Sequence, residues 1–261
     1  MLSSIYGMVL FSWHVLSSTG KLSFGGIFSV AASDFKVEKR LLPHPAIVAV
    51  RGGNRAVHLA KGLFGFASQE RSVTISSDMN MAVFLDRDGT LIQEKDYLCD
   101  PDQVIVLPGA MTALHRLQQA GFKLIIVTNQ SGVGRGYFTL ADVEAVNARV
   151  VREFGRQGVN FQKIYLAPEA PEQPSRGRKP SPQFLFEARD EFGLDLARSY
   201  MIGDKLIDLE CGWNAGVNQC LLVRTGYGAE QERKYPGPVS RAVVVDNLPA
   251  AADWILQSRS R

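Results

Sequence analysis

From Met81 onward, short apolar runs alternate with longer amphipathic segments, whereas the first eighty residues keep no such rhythm. The runs near 82–86, 123–128, 162–166, 199–203 and 219–223, with a weaker one at 242–245, are rich in Val, Ile and Leu and predict buried strands. Between them, apolar positions recur at helical spacing near 109–120, 140–156, 182–192, 206–214 and 248–257. Their ends carry matching punctuation. Thr139 precedes "LADVEAVNARVVREF", Ser181 and Pro182 open the next helix, Gly193 closes it, and Gly121 precedes the second strand. Regular alternation of strand and helix predicts a doubly wound α/β domain, a parallel sheet with helices on both faces.

Residues 1–80 read differently. Ser/Gly-rich pieces such as "SSTGKLSFGG" surround a short apolar run, "PAIVAVRGG", and a possible helix near 55–67, followed by the polar "SQERSVTISSDMN". Too few periodic apolar faces are present to bury a core of their own. The expectation is an N-terminal extension, poorly ordered or an overlong start, ahead of the α/β domain spanning 81–261.

Composition narrows the classes. The 261 residues are 46% hydrophobic and 21% charged, with a formal net charge of +3, an ordinary balance for a globular protein. Residues 1–80 hold eight Lys/Arg against four Asp/Glu, so the remainder is about one unit negative. With no dense basic and aromatic stripe, nucleic acid is not an expected partner. No run reaches the roughly 18 apolar residues of a membrane span. The apolar stretch Ile5–Leu16 lacks the basic leader of a secretory signal, since the first Lys is Lys21. Cys99, Cys211 and Cys220 are odd in number and lack C-x-x-C spacing, which fits reduced thiols and a cytoplasmic location.

The first regular strand runs straight into two carboxylates: "AVFLDRDGTL" carries Asp86 and Asp88. Open α/β sheets bind ligands outside the carboxyl ends of their strands. An isolated D-x-D-G is most simply a solvated turn. A calcium loop is ruled out, because its sixth and twelfth positions would be Leu91 and Tyr97 rather than Gly and Glu. Three further stretches fall at the same edge. "VTNQSG" supplies Thr128, Asn129, Gln130 and Ser131, whose hydroxyls, amides and N–H groups suit phosphate oxygens. "RKP" supplies Arg178 and Lys179, and "GDKLID" supplies Asp204, Lys205 and, one turn on, Asp208. Carboxylates converging on one pocket repel by roughly 4 kcal/mol per pair at an effective dielectric near 20. A cation must offset them, and hard oxygen donors without His or Cys select Mg²⁺.

In order and spacing, "FLDRDGTL", "VTNQSG", "RKP" and "GDKLID" closely resemble the haloacid dehalogenase (HAD) superfamily of aspartate-nucleophile phosphatases. The nearest part is the capless branch that holds the heptose-bisphosphate phosphatases and the histidinol-phosphatases. The resemblance covers Met81 to the end and implies a Rossmann-like core without a cap domain. It implies that Asp86 is the nucleophile, Asp88 the general acid and base, and that Thr128 and Lys179 hold the phosphoryl oxygens. Mg²⁺ would bind Asp86, Asp204 and the backbone carbonyl of Asp88. Substrate contacts would come from Glu94, Lys95, Asp96, Tyr97, Asn129, Gln130, Ser131, Arg178 and Lys205. The implied function is a Mg²⁺-dependent phosphomonoesterase acting as a monomer on a small sugar phosphate. Removal of the 7-phosphate of heptose bisphosphate, on the way to activated heptose for lipopolysaccharide, comes first. Histidinol phosphate, or non-catalytic binding of a phospho-ligand, is the alternative.

Members of this branch commonly carry zinc ligands spaced Cys-x-His and Cys-x-Cys ahead of R-K-P. Here those places are Ala167, Pro168, Glu169 and Ser175, Arg176, Gly177, and no zinc is expected. The loop "APEAPEQPSRGRKP" is expected to be held by its four prolines and hydrogen bonds instead. "GVGRGYF" reads as a flexible substrate loop with Arg135 a phosphate contact, since Tyr137 stands where a dinucleotide fingerprint needs its last glycine. Trp213 and Trp254 are expected to pack, and Cys211 to be an inert buried thiol.

Overall fold

The computed structural model describes residues 80–259 and, in the preceding segment, four strands. The chain divides into two units, Met1–Ser72 and Val73–Arg261. In the first, β1 (Gly7–Ser17) pairs antiparallel with β2 (Gly20–Val30) along its whole length, and β3 (Ile47–Val48) pairs with β4 (Leu59–Ala60). The sequence reading of a helix near 55–67 is corrected at Leu59 and Ala60, which are in strand β4. The expectation of a poorly ordered extension falls otherwise outside the described residues.

The second unit is built on six parallel strands: β5 (Ala82–Leu85), β6 (Lys123–Asn129), β7 (Phe161–Ala167), β8 (Tyr200–Gly203), β9 (Gln219–Val223) and β10 (Val243–Val245). Their spatial order is β10-β9-β8-β5-β6-β7. The chain starts in the middle, builds outward to β7, then returns past β5 to build the other half. Strand order therefore reverses between β5 and β8, the crevice where doubly wound sheets take their ligands.

Side-chain alternation along each strand explains why both faces need cover. Val83 and Leu85 of β5, with Leu124 and Ile126 of β6, join one apolar cluster, while Ala82, Phe84, Ile125 and Val127 join the other. The first face is covered by α1 (Ala110–Gln119), α3 (Leu140–Gly155) and α8 (Leu248–Ser258). The second is covered chiefly by α4 (Gln183–Phe192) and α5 (Leu206–Ala215). Ala110, Ala113, Leu114 and Leu117 of α1 show the spacing at work, one buried stripe on an otherwise polar helix. Thr139 caps α3 in a reciprocal box with Asp142, and Gly193 ends α4 in the left-handed conformation. Trp213 and Trp254 pack against the two clusters, and Cys211 is buried, its thiol pushed up to about 12 by desolvation.

Three short helices were not foreseen: α2 (Ser131–Gly134), α6 (Gly228–Lys234) and α7 (Pro236–Val239). The first corrects the reading of "GVGRGYF" as a loop throughout. Its opening is a helical turn in which Gly132 packs against the Phe138 ring and Gly134 against the backbone of Ala170. Among the described residues no cap domain interrupts the sheet and its helices, and no helix is long and apolar enough to cross a membrane.

Candidate active site

Asp86 stands one residue beyond β5, and its N–H donates to the Ile202 carbonyl of β8 at 2.9 Å. The sheet ladder thus delivers the carboxylate to the reversal crevice. Asp204 follows β8 directly, and Asp208 lies in the first turn of α5, where its Oδ2 accepts the Lys205 N–H at 2.9 Å. Oxygens of Asp86, Asp204 and Asp208 lie within 4.8 Å of one another, and all three residues are buried. Two glycines make room for this. Gly89 (φ 81°) and Gly226 (φ 56°) approach Asp204 so closely that a Cβ on either would collide with its Oδ2.

Lys179 offsets the charge. Its ammonium donates to Asp86 Oδ1 at 2.6 Å and the Val127 carbonyl at 2.7 Å, and pairs with Asp208 Oδ1 at 2.7 Å. The first two are hydrogen bonds and the third is an ion pair. Burial alone would push the ammonium down, but Asp208 and Asp86 hold it above its ordinary value, so it stays charged. Asn129 fixes the lysine from behind: its amide accepts from Lys179 N–H at 3.0 Å and donates to the Lys179 carbonyl at 3.1 Å. Burial first, then the charges of Asp86 and Asp208, raise the Asp204 carboxyl well above the usual range. Its Oδ1 is buried without a hydrogen-bond partner. Asp208 Oδ1, though paired in charge with Lys179, likewise accepts no hydrogen bond, and three hard carboxylates with two such buried oxygens are a donor set that fits Mg²⁺.

Asp88 lies outside the three-carboxylate cluster. Both its oxygens are taken by the Arg87 guanidinium, at 3.0 and 3.1 Å, and Gln130 Nε2 donates to Oδ2 at 2.8 Å. Arg87 is wholly buried and anchored by Asn147 of α3 at 2.7 Å. The same Gln130 amide donates to Thr128 Oγ1 at 2.8 Å, which links the end of β6 to Asp88.

A cavity of about 320 Å³ opens above this floor. Asp86, Asp88, Lys179 and Asp208 line its base, while Asn129, Gln130, Ser131, Arg178 and Lys205 line its walls. Glu94, Asp96 and Tyr97 form part of its rim together with Tyr227. Of the residues singled out from the sequence, Thr128, Asp204, Lys95 and Arg135 are not on the cavity surface; the first two lie buried, and Arg135, read from the sequence as a phosphate contact, instead pairs with Glu172 at 3.6 Å. Arg87 and Tyr227 are additions, and Asp208, noted in the sequence one turn beyond Asp204, joins the carboxylate cluster. Asp208 was legible as the third position of a helix opening on "GDKLID", and Tyr227 as a residue just beyond the carboxyl end of β9. Arg87 carried no such signal.

The rim is knit by charge. Lys205 Nζ bonds Glu94 at 2.9 Å and sits 4.6 Å from the centre of the Tyr227 ring. Burial raises the Glu94 carboxyl and Lys205 opposes it. Arg178 donates to the Glu169 carbonyl at 3.0 Å, and its guanidinium is lowered first by burial and then by the neighbouring Arg135. In the preceding loop, Ser175 Oγ donates to Glu169 at 2.7 Å and accepts the Arg178 N–H at 3.1 Å. Hydrogen bonds between these two residues close the loop that the sequence expected them to hold.

Residues 80–207 match the polynucleotide kinase 3 phosphatase family model, and residues 177–251 match the HAD-hydrolase-like model. The D-glycero-beta-D-manno-heptose-1,7-bisphosphate 7-phosphatase of Escherichia coli is 36% identical over 68% of this chain and 88% of its own length. The chain belongs to this family of HAD-like phosphatases. The Pseudomonas aeruginosa enzyme of the same name is also 36% identical, over 67% of this chain and 97% of its own. Among solved structures, a D,D-heptose 1,7-bisphosphate phosphatase from B. bronchiseptica, complexed with magnesium and phosphate, superposes with a TM-score of 0.64 at 33% identity. It covers 68% of this chain and 99% of the other. As a HAD-like phosphatase the chain is an enzyme of phosphoester hydrolysis, and the carboxylate floor is where such chemistry would be expected.

Proposed function

We propose that this phosphatase removes the 7-phosphate of a heptose 1,7-bisphosphate, with Asp86 as nucleophile. The observation that carries the reading is the Asp86 carboxylate itself, presented at a strand end, buried, and held by a charged lysine at 2.6 Å. Asp86 attacks phosphorus from the side opposite the departing sugar oxygen. The new bond is an acyl phosphate on Asp86, and the bond broken joins phosphorus to the sugar. Asp88, which lines the cavity, enters protonated after turning away from the Arg87 guanidinium that holds both its oxygens here, gives the sugar oxygen that proton, then takes one from the water that releases phosphate. Lys179 steadies the transferring oxygens from the cavity base, and the buried Thr128 holds the Gln130 amide that reaches Asp88.

Asp86, Asp204 and the Asp88 carbonyl, with Asp208 alongside, would hold Mg²⁺, which when bound offsets the negative charge of phosphate and carboxylates. The heptose assignment rests on the relatives, and Arg178, a guanidinium on the cavity wall, supports it, since a bisphosphate brings a second anion to the mouth. Glu94, Asp96 and Tyr97, with Asn129 to Ser131 and Lys205, line the cavity and take the sugar, while Lys95 stands off it. We place the whole activity within residues 81–261, acting as a monomer in the cytoplasm in the supply of activated heptose.

Comparing turnover of heptose bisphosphate with histidinol phosphate tests the substrate. Preference for histidinol phosphate would overturn the assignment while leaving the chemistry standing. Asp86→Asn tests the chemistry: turnover of any phosphomonoester should fall by at least about a thousandfold with melting unchanged or raised, and retained activity would remove the mechanism.

A further inference from the structure

The rim loop Glu94–Tyr97 is tied down from two sides. On one, Tyr97 sets its ring edge-on to Tyr137 at 4.9 Å and close to Phe138 at 6.5 Å. On the other, the Tyr227 hydroxyl donates to Asp96, while Lys205, seated on the Tyr227 ring, bonds Glu94. Tyr97 also adopts a φ of 66°, the one non-glycine among the described residues with positive φ. A bulky side chain keeps that conformation only where surrounding contacts impose it. The loop's shape is therefore a product of its ties, and Tyr227 supplies one of them.

Tyr227 has a second contact, which distinguishes it from the other ties. Its backbone N–H donates to Asp204 Oδ2 at 2.8 Å, and Gly226, just before it, is the residue that lets the chain come so near. One residue thus touches a buried carboxylate of the floor with its backbone and an exposed carboxylate of the rim with its side chain. Facing a carboxylate, which only accepts, the phenol is the donor of this bond. The two rim carboxylates are acceptors and repel phosphate, so the part of a substrate they suit is the neutral, hydroxylated chain.

We propose that Tyr227 is a positioning residue for sugar recognition: its hydroxyl holds Asp96, and with it the Glu94–Tyr97 loop, at a fixed offset from the carboxylates beneath. This rests on the sugar-phosphate reading of the site. Tyr227→Phe in the full chain removes the hydroxyl alone, keeping the ring under Lys205 and the N–H on Asp204. KM for heptose bisphosphate should rise about five- to tenfold, the worth of one charge-assisted hydrogen bond, with kcat within about twofold. KM for p-nitrophenyl phosphate, which offers no hydroxyls to the rim, should not move. Backbone hydrogen exchange should speed up across residues 93–98 and stay unchanged in β5 and β8.

Asp96→Asn, whose amide oxygen still accepts, should show a smaller rise in KM, and adding Tyr227→Phe to Asp96→Ala should cost nothing further. Unchanged exchange in the loop, equal losses on both substrates, or additive effects in the double variant would each overturn the proposal. A wild-type enzyme that hydrolyses p-nitrophenyl phosphate but not heptose bisphosphate would instead overturn the substrate assignment, and the exchange measurement would still decide the role of Tyr227.

Discussion

The floor and the rim of the cavity are built on different terms. On the floor, Asp86, Asp204, Asp208 and Lys179 are each at most 5% exposed, and every one is fixed by a strand end, a helix turn or a buried ion pair. On the rim, Asp96 and Tyr97 are exposed, and the ties that hold them are single side-chain contacts between loops. Burial makes charge on the floor costly unless it is offset, so those residues depend on one another and a change in one is felt by all. Exposure on the rim makes each contact worth little and nearly independent of the next. A family can therefore vary its rim, and hence its substrate, without disturbing the chemistry below.

The largest effect that separates the two regions should come from Lys179→Met. The variant keeps the stem volume but leaves Asp86 and Asp208 facing each other without a cation, a loss of about 3 to 5 kcal/mol for breaking a buried pair. Turnover should fall at least about a hundredfold on every phosphomonoester alike, and the metal-free protein should melt well below the wild type. If the loss fell on KM for the sugar alone, the lysine would belong to the rim in its action, and the division drawn between the regions would fail.

The same division governs what the sequence disclosed. Much of the floor was legible because strand ends carry it: "AVFLD", "LIIVT" and "YMIGD" place Asp86, Thr128 and Asp204 at one edge once the strands are parallel, while Lys179 and Asp208 come from the loop and helix that follow such strands. Helices α3 and α8 were equally plain, since a stripe of buried positions and a capping residue coincide. Helices α2, α6 and α7 were not, because each is seven residues or fewer and is rich in glycine, proline or charge, with no room for a periodic face. Arg87 could not be placed because its partner, Asn147, is sixty residues away. The Tyr227 link to Asp96 spans 131 residues between two loops, and nothing local to either announces it.

Magnesium should act on the floor in a pH-dependent way whose sign follows from Asp204. Its carboxyl is raised in the folded protein by burial and by its acidic neighbours, so the folded chain holds that proton where the unfolded chain has released it. Between the ordinary carboxylate range and the raised one, folded protein binds more protons than unfolded, and metal-free stability falls as pH rises. A divalent cation replaces the proton and removes that penalty. Melting temperatures at pH 5 and pH 8, with EDTA and with Mg²⁺, should show a larger Mg²⁺ gain at pH 8. EDTA should abolish turnover, and Mg²⁺ should restore it. An equal gain at both pH values would mean that Asp204 is already ionised without metal, and that the floor is less tightly coupled than its geometry implies.

The smallest effect belongs to the loop below Arg178, where the contrast is sharpest because no buried charge is involved. Ser175 makes two hydrogen bonds there, to the Glu169 carboxylate and from the Arg178 N–H, and both lie in a partly buried setting. Ser175→Ala removes them without opening a cavity, so the expected loss is about 1 to 2 kcal/mol. For a domain of this size that lowers the melting temperature by about 2 to 8 °C. Turnover of p-nitrophenyl phosphate should be unchanged, because Asn129 and not the loop holds the Lys179 backbone. Any rise in KM for the bisphosphate should stay within about twofold, since Arg178 keeps its contact with the Glu169 carbonyl. A large loss of turnover would show that the loop transmits to Lys179 through its own backbone, two residues away from Gly177, and would move the boundary between floor and rim to Ser175 itself.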